Sequence, residues 1–234
     1  MNLSNTLKIR ILLLLLTLCF AGTAITIKST YKEKEILLID GNKVEKNLHK
    51  KEAVVKQFLN DESLFEKIRN IDEDPELKKY IIETFGQEKG IYIYTYSNND
   101  LVFWGSEQIV PRSDAGISEG SSVIKWNNGW YESYKKSAGG FSVVCLIPIK
   151  ANYPITNRYL NNDFSQDLIN SPNLEVANYD DVSVYNLRNS DGAYLLSLKL
   201  STSNFKTFYS TIELIMWLLA GLTFTILINN ICYY

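Results

Sequence analysis

The sequence predicts an α+β domain, N-terminal helices packed on an antiparallel sheet, placed between two transmembrane helices. Three observations carry this. Two long apolar runs lie near the ends of the 234-residue chain. Between them, residues 30–90 repeat apolar side chains at helical spacing, and from Gly90 onward the period changes to the alternation of strands.

The first apolar run passes from Ile11 to Ile27 without a charge, behind Lys8 and Arg10. Bounded at 9–28, it has the length of a slightly short membrane helix, and Gly22 and Ala24 also give it the small residues of a signal-peptide cleavage site. Apolar character continuing through Ile25 and Ile27 favours an uncleaved anchor. The second span is bounded at 210–229, and its apolar run from Thr211 to Ile228 carries one charge, Glu213. Intramembrane carboxylates are functional candidates, but in a helix's first turn a carboxylate suits the dipole and stays wet. Lys8 and Arg10 place the N-terminus in the cytoplasm by the positive-inside rule. Residues 29–208 then form an extracytoplasmic domain and residues 230–234 a cytoplasmic stub. The expected location is the inner (cytoplasmic) membrane, crossed twice, with the central domain in the periplasmic space.

Charge and cysteine content narrow the chemistry. A formal net charge of −2, with 21% charged residues, provides no basic footprint, so no nucleic-acid partner is expected. Cys19 and Cys232 belong to the spans or their edges, which leaves Cys145 alone in "FSVVCLIPIK". A lone cysteine in an apolar run reads as a small buried hydrophobe, without an intradomain disulfide.

In the helical part, Val44, Leu48, Val55 and Leu59 recur with Lys and Glu between them, marking one amphipathic helix. "EILLID", Glu35–Asp40, fits strand or helix, and continuity with the first span favours helix. Asn60 or Asp61 caps the next helix; Asp74 caps another with Pro75 at its first position and Gly86 as its stop. In the strand part, "GIYIYTYSNNDLVFW" predicts a hairpin: Ile91–Tyr96, a turn over Ser97–Asp100, then Leu101–Trp104. Strands follow at Ser122–Trp126, Trp130–Lys135 and Phe141–Ile149, with turns at Asn127–Gly129 and Ala138–Gly140. A last hairpin runs Val182–Leu187, turn Asn189–Gly192, Ala193–Leu200.

The aromatic residues Tyr92, Tyr94, Trp104, Trp126, Trp130 and Tyr131 are the candidate walls of a small-molecule pocket, since aromatic faces with a few polar handles suit such ligands. Arg112, in the loop after Pro111, is a candidate clamp for a ligand carboxylate. The competing reading is sheet core. Four consecutive apolar residues in "DLVFW" point to burial on both faces. Other groups read as structural. Asn128–Gly129 is turn chemistry, "NIDEDPE" lacks the spacing and glycine of a calcium loop, and Asp180–Asp181 precedes a strand. His49, the single histidine, sits in a charged helix. No metal, no cofactor and no hydrolytic constellation is expected.

The ordered motifs "LHKKE" (Leu48–Glu52), "DLVFW" (Asp100–Trp104), "NGWY" (Asn128–Tyr131), "IPIKANYPITNRYLNNDF" (Ile147–Phe164) and "GAYLLSL" (Gly192–Leu198) are together similar to a known pattern. They resemble the periplasmic input region of Bacteroidetes-type membrane sensor histidine kinases. The resemblance implies a Cache- or PAS-like sensor fold feeding a cytoplasmic kinase, working as a homodimer through the helix Lys32–Leu59. It also implies a small ligand or an envelope protein as partner besides the membrane. The sequence ends at Tyr234, before any phospho-accepting histidine or ATP-binding domain, so the expected role is a sensory module without its own kinase output, not an enzyme. The alternative is an envelope structural or protein-interaction module with no signalling role.

Overall fold

The computed structural model describes residues 5–30, 33–126, 128–158, 160–171, 173–201 and 208–233. The expected turn residue Asn127 and the helix start at Lys32 lie outside the described residues. The chain divides into two units, residues 1–38 with 200–234, and residues 39–199.

The first unit contains helices α1 (Asn5–Thr30) and α5 (Phe208–Tyr233). Both are long and apolar enough to cross a membrane, over Thr6–Thr30 and Thr211–Tyr233. They pack antiparallel: Arg10 Nε donates to Asn230 Oδ1 at 3.1 Å, and Thr17 Oγ1 bonds Thr223 Oγ1 at 3.0 Å. The shielded positions of α1 include Arg10, Leu13, Thr17, Phe20, Ala24 and Ile27, spaced alternately by three and four as in a left-handed helix pair, with Ala21 beside Phe20. Ala24 and Ala220 are buried in this seam, where small residues let backbones approach. The outward positions include exposed leucines and isoleucines, Leu12, Leu15 and Leu18 among them.

In the second unit the long helix α2 (Glu33–Asn60) buries Val44, Leu48, Val55 and Leu59, the four residues whose spacing predicts it. "EILLID" is part of this helix. Helix α3 (Glu62–Arg69) is capped by Asp61, whose Oδ1 accepts from Leu64 N at 2.9 Å. After a 3₁₀ turn (Ile71–Glu73), α4 (Pro75–Tyr80) is capped by Asp74 through Leu77 N, with Pro75 in its first turn. Gly86 does not end the helical chain. The winding continues as a π-helix over Ile81–Glu88, and the break falls at Gly90, which adopts φ +58°. Gly86 itself keeps φ outside the left-handed region, so nothing there stops a helix.

Among the described residues eight strands follow: β1 (Tyr92–Ser97), β2 (Asp100–Trp104), β3 (Gly120–Trp126), β4 (Gly129–Ala138), β5 (Phe141–Ala151), β6 (Leu174–Val176), β7 (Tyr185–Arg188) and β8 (Tyr194–Leu200). The first five form an antiparallel sheet in the order β2-β1-β5-β4-β3. The others form a second sheet, β6-β8-β7. Two tight hairpins set the register of the large sheet. Asn98 and Asn99 (φ 50° and 70°) turn β1 into β2, and Gly139 and Gly140 (φ 57° and 77°) turn β4 into β5. The last hairpin differs from expectation: β7 starts at Tyr185, and Val182 is fully exposed. An apolar residue near a turn satisfies a strand pattern without pairing.

The expectation that "DLVFW" is buried on both faces is also corrected. β2 is an edge strand: only Phe103 is buried, Leu101 and Val102 are half-buried, and Trp104 is 49% exposed. The strands covered on both faces lie inside the sheet: β1, buried from Tyr92 to Tyr96, and central β5, buried continuously from Phe141 to Ile147. A run of apolar residues signals low polarity, and the strand's place in the sheet decides whether both faces are covered.

One sheet face carries Ile93, Thr95, Cys145, Ile147, Glu132 and Tyr134, with α2 and α3 on the same side, as Lys136 Nζ shows by donating to Leu59 O at 2.8 Å. The opposite face carries Tyr92, Tyr94, Tyr96, Tyr131, Val144 and Leu146 in one apolar cluster. It is closed by the loop between β2 and β3, which contributes Ile109 and buried Ile117. The β7–β8 hairpin lies along α2: the Tyr185 ring rests on Gly41, and Tyr185 OH donates to Asn42 Oδ1 at 2.9 Å.

Candidate ligand site

Alternation along β1 sends Tyr92, Tyr94 and Tyr96 to one face, and each phenol reaches the loop that covers it. Tyr92 OH donates to Gln108 Oε1 at 2.7 Å, Tyr94 OH to Ile109 O at 2.6 Å, and Tyr96 OH to Pro111 O at 3.0 Å. The loop is also fastened further along. Buried Asp114 pairs with Lys135 Nζ at 3.0 Å and accepts from the Ser142 hydroxyl.

Two adjoining cavities, of about 570 and 340 Å³, meet at Gly90, Tyr92 and Gln108. The larger lies between the π-helix, through Ile82, Gly86 and Gln87, and the end of β2, through Trp104 and Gly105. Gly105 is required there, because a Cβ would stand 2.9 Å from Ile93 O. The smaller is lined by Tyr131, Lys150, Tyr153, Asp163 and Asp167 besides the shared residues. Asn128 Nδ2 donates to Gln108 O at 3.0 Å and steadies the partition.

The electrostatics of these walls favour binding over proton transfer. Burial, then neighbouring Tyr153 and Asp167, raises Tyr92 above the usual phenol range. Burial, then Tyr153 and Tyr92, pushes Tyr131 up to about 12. Both phenols therefore stay protonated at neutral pH and serve as hydrogen-bond groups. Lys150 is lowered by burial, against the opposing pull of Glu175 and Asp163. It donates to Leu174 O at 3.1 Å and lies over the Phe164 ring at 4.7 Å. On the far side Lys51 Nζ holds Gly90 O at 3.2 Å and Asp167 at 2.9 Å, tying α2 to the cavity wall. Among the described residues, no group of three or more His, Cys, Asp or Glu side chains is placed to hold a metal ion.

The residues expected from sequence are partly brought together. Tyr92 and Trp104 line the larger cavity, and Tyr92 and Tyr131 the smaller. Tyr94 is wholly buried beneath the loop, and Trp126 meets Tyr131 at a tilt, with ring centroids 5.6 Å apart. Trp130 lies on the opposite face under Lys125 at 4.8 Å, beside a third cavity of about 470 Å³. Arg112 is exposed and lines none of these cavities. Sequence reasoning missed Gln108, Lys150, Asp167 and the π-helical wall. Lys150 carried a signal, a cation closing the most apolar strand of the chain; Gln108 carried none.

Fold and site together define an α+β domain with a five-stranded antiparallel sheet and an aromatic-walled cavity pair, in a chain with two membrane-length apolar helices. No family model matches the chain, and no curated protein or solved structure matches it.

Proposed function

We propose that this chain is a membrane-anchored extracytoplasmic sensory module of two-component signal transduction, taking a small ligand at the cavities that meet at Tyr92. The observation that carries the reading is the junction itself. Aromatic walls, the Gln108 amide and a desolvated cation at Lys150 converge on a space of ligand size. The sheet order β2-β1-β5-β4-β3 behind N-terminal helices supports a Cache- or PAS-like fold, the arrangement that the sequence resemblance calls for. Two apolar helices flanking the domain support a two-pass inner-membrane location with the N-terminus in the cytoplasm. In this reading the module itself is not an enzyme and works as a homodimer through α2.

The test uses the full chain in lipid nanodiscs, screened by thermal shift against a panel of small metabolites. A compound that raises the melting temperature of the wild type, but not of Gln108→Ala or Lys150→Ala, supports the reading. A flat panel, or equal shifts in the variants, overturns the ligand-binding part. A cysteine at Ile155, an exposed loop position, tests orientation through labelling of intact cells by a membrane-impermeant maleimide. Failure to label overturns the extracytoplasmic placement.

A further inference from the structure

On the sheet face opposite Tyr92 and Tyr131, two carboxylic acids are buried together. Glu52 from α2 and Glu132 from β4 are both fully shielded from solvent. Glu52 Oε2 accepts the Ser190 N–H at 2.7 Å, and Glu132 Oε1 accepts the Ser121 hydroxyl at 2.9 Å. Among the described residues, the remaining oxygens, Glu52 Oε1 and Glu132 Oε2, have no hydrogen-bond donor, and the Tyr134 hydroxyl is likewise unpartnered. The two acids are joined through their neighbours: Ser190, held by Glu52, follows Asn189, whose Nδ2 donates to the same Ser121 hydroxyl that Glu132 holds. Ionised carboxylates only accept, so this juxtaposition is repulsive when both are charged and becomes a hydrogen bond when one carries a proton.

We propose that Glu52 and Glu132 form a proton-binding site, the proton shared between Glu52 Oε1 and Glu132 Oε2, whose occupancy clamps α2 to the sheet and to the β7–β8 turn. The site stands whether or not the cavities take a ligand. Each acid belongs to a different layer. Glu52 also holds the turn through Ser190, and Glu132 also holds β3 through Ser121. A single proton therefore decides whether helix, sheet and hairpin attract or repel at their common point.

Among the described residues, the cations around the pair are engaged elsewhere. On α2, Lys56 is engaged by Asp191 at 2.7 Å and by Ser190 Oγ, His49 by Arg188 O, and Glu45 by Arg188 N. On the turn, Asn189 Nδ2 reaches Ser121 Oγ at 3.2 Å. On β4 the next group on this face beyond Tyr134 is Lys136, which Glu62 and Leu59 O hold; on β3 it is Lys125, over Trp130. Burial, then the Glu52 charge, raises Glu132 well above the ordinary carboxylate range. An acid raised in the folded state contributes stability that is full below the ordinary carboxylate range and lost as pH rises through the raised value.

The experiment follows the melting temperature of the full chain in nanodiscs from about pH 5 to about pH 9. The wild type is expected to lose on the order of 5 °C toward alkaline pH. Glu132→Gln, a neutral isostere of the protonated acid, is expected to flatten that slope and melt above the wild type at the alkaline end. His49→Gln keeps the slope, which separates the dyad from the only imidazole. A wild-type slope retained in Glu132→Gln overturns the proposal. Infrared difference spectroscopy of the wild type gives a second reading that needs no variant. The C=O stretch of a protonated carboxylic acid is expected at neutral pH and lost at alkaline pH, and its absence at neutral pH overturns the site.

Discussion

The Lys135 ammonium and the Asp114 carboxylate lie 3.0 Å apart with their side chains only 13% and 3% exposed, so an ion pair fastens the β2–β3 loop to the sheet. Lys135 Nζ also donates to Asp114 O and Ile117 O, and the Ser142 hydroxyl donates to the same carboxylate. Burial by itself would raise Asp114. The hydrogen bonds from Ser142 and Lys135, with the Lys135 charge, outweigh it and hold the acid below its ordinary range. Asp114→Asn leaves a buried cation without its counter-charge and is expected to cost about 3 kcal/mol in urea unfolding of the full chain. Because the folded acid is lowered, its contribution is full above the ordinary aspartate range and lost as pH falls through the lowered value. Limited proteolysis should accordingly cut within residues 106–119 in acid but not at neutral pH, and the variant should be cut at both.

The tyrosine ladder makes a graded prediction. Tyr94→Phe removes the donor to Ile109 O from a wholly buried position and is expected to cost about 1–2 kcal/mol, the penalty of a buried carbonyl left unpaired. Tyr92→Phe frees Gln108 at the cavity junction, where water replaces the lost donor, and should cost less than 1 kcal/mol. Equal losses in equilibrium unfolding would contradict the difference in solvent access between the two positions.

The residues that announce themselves in the sequence are those whose role is local. Asp61 and Asp74 cap helices by accepting from the backbone N–H three positions on, Pro75 opens its helix with a preset φ, and Asn98–Asn99 and Gly139–Gly140 turn hairpins through their own backbone angles. Partnerships across the chain leave no such trace. Glu52 and Glu132 look like ordinary surface acids, in "HKKEAVV" and "GWYESY", until α2 is laid on β4. Gln108 gains meaning only because Tyr92 faces it, and "DLVFW" misleads because edge and central strands share a vocabulary. Period and capping are short-range physics, whereas burial belongs to the assembled layers.

Gly41 makes such a long-range contact testable. A glycine inside a helix normally gives up about 1 kcal/mol relative to alanine. Here a Cβ would stand 2.4 Å from Cγ of the Tyr185 ring, and the root of an aromatic ring cannot swing aside cheaply. Gly41→Ala is therefore expected to destabilise the chain by about 1–3 kcal/mol, reversing the propensity gain. Pairing it with Tyr185→Ala should recover most of the penalty, giving a coupling of about 1 kcal/mol or more in a double-mutant cycle. Additive losses would show that hairpin and helix do not share this contact.

The seam between α1 and α5 yields the last prediction. Arg10 meets Asn230 and Thr17 meets Thr223, pairs whose residue numbers fall in step along antiparallel helices. Thr17 and Thr223 also return hydrogen bonds to Leu13 O and Leu219 O of their own helices, so neither hydroxyl is stranded in an apolar seam. In a chain with Cys19 and Cys232 replaced by serine, Thr17→Cys with Thr223→Cys is expected to cross-link on mild oxidation in membranes. Leu18→Cys with Leu222→Cys, whose parent side chains are 60% and 61% exposed, is expected not to. Cross-linking shows as a shift in electrophoretic mobility that reductant reverses. The reverse pattern would rotate both helices and place the threonines toward lipid, where their hydroxyls would have only their own carbonyls to satisfy.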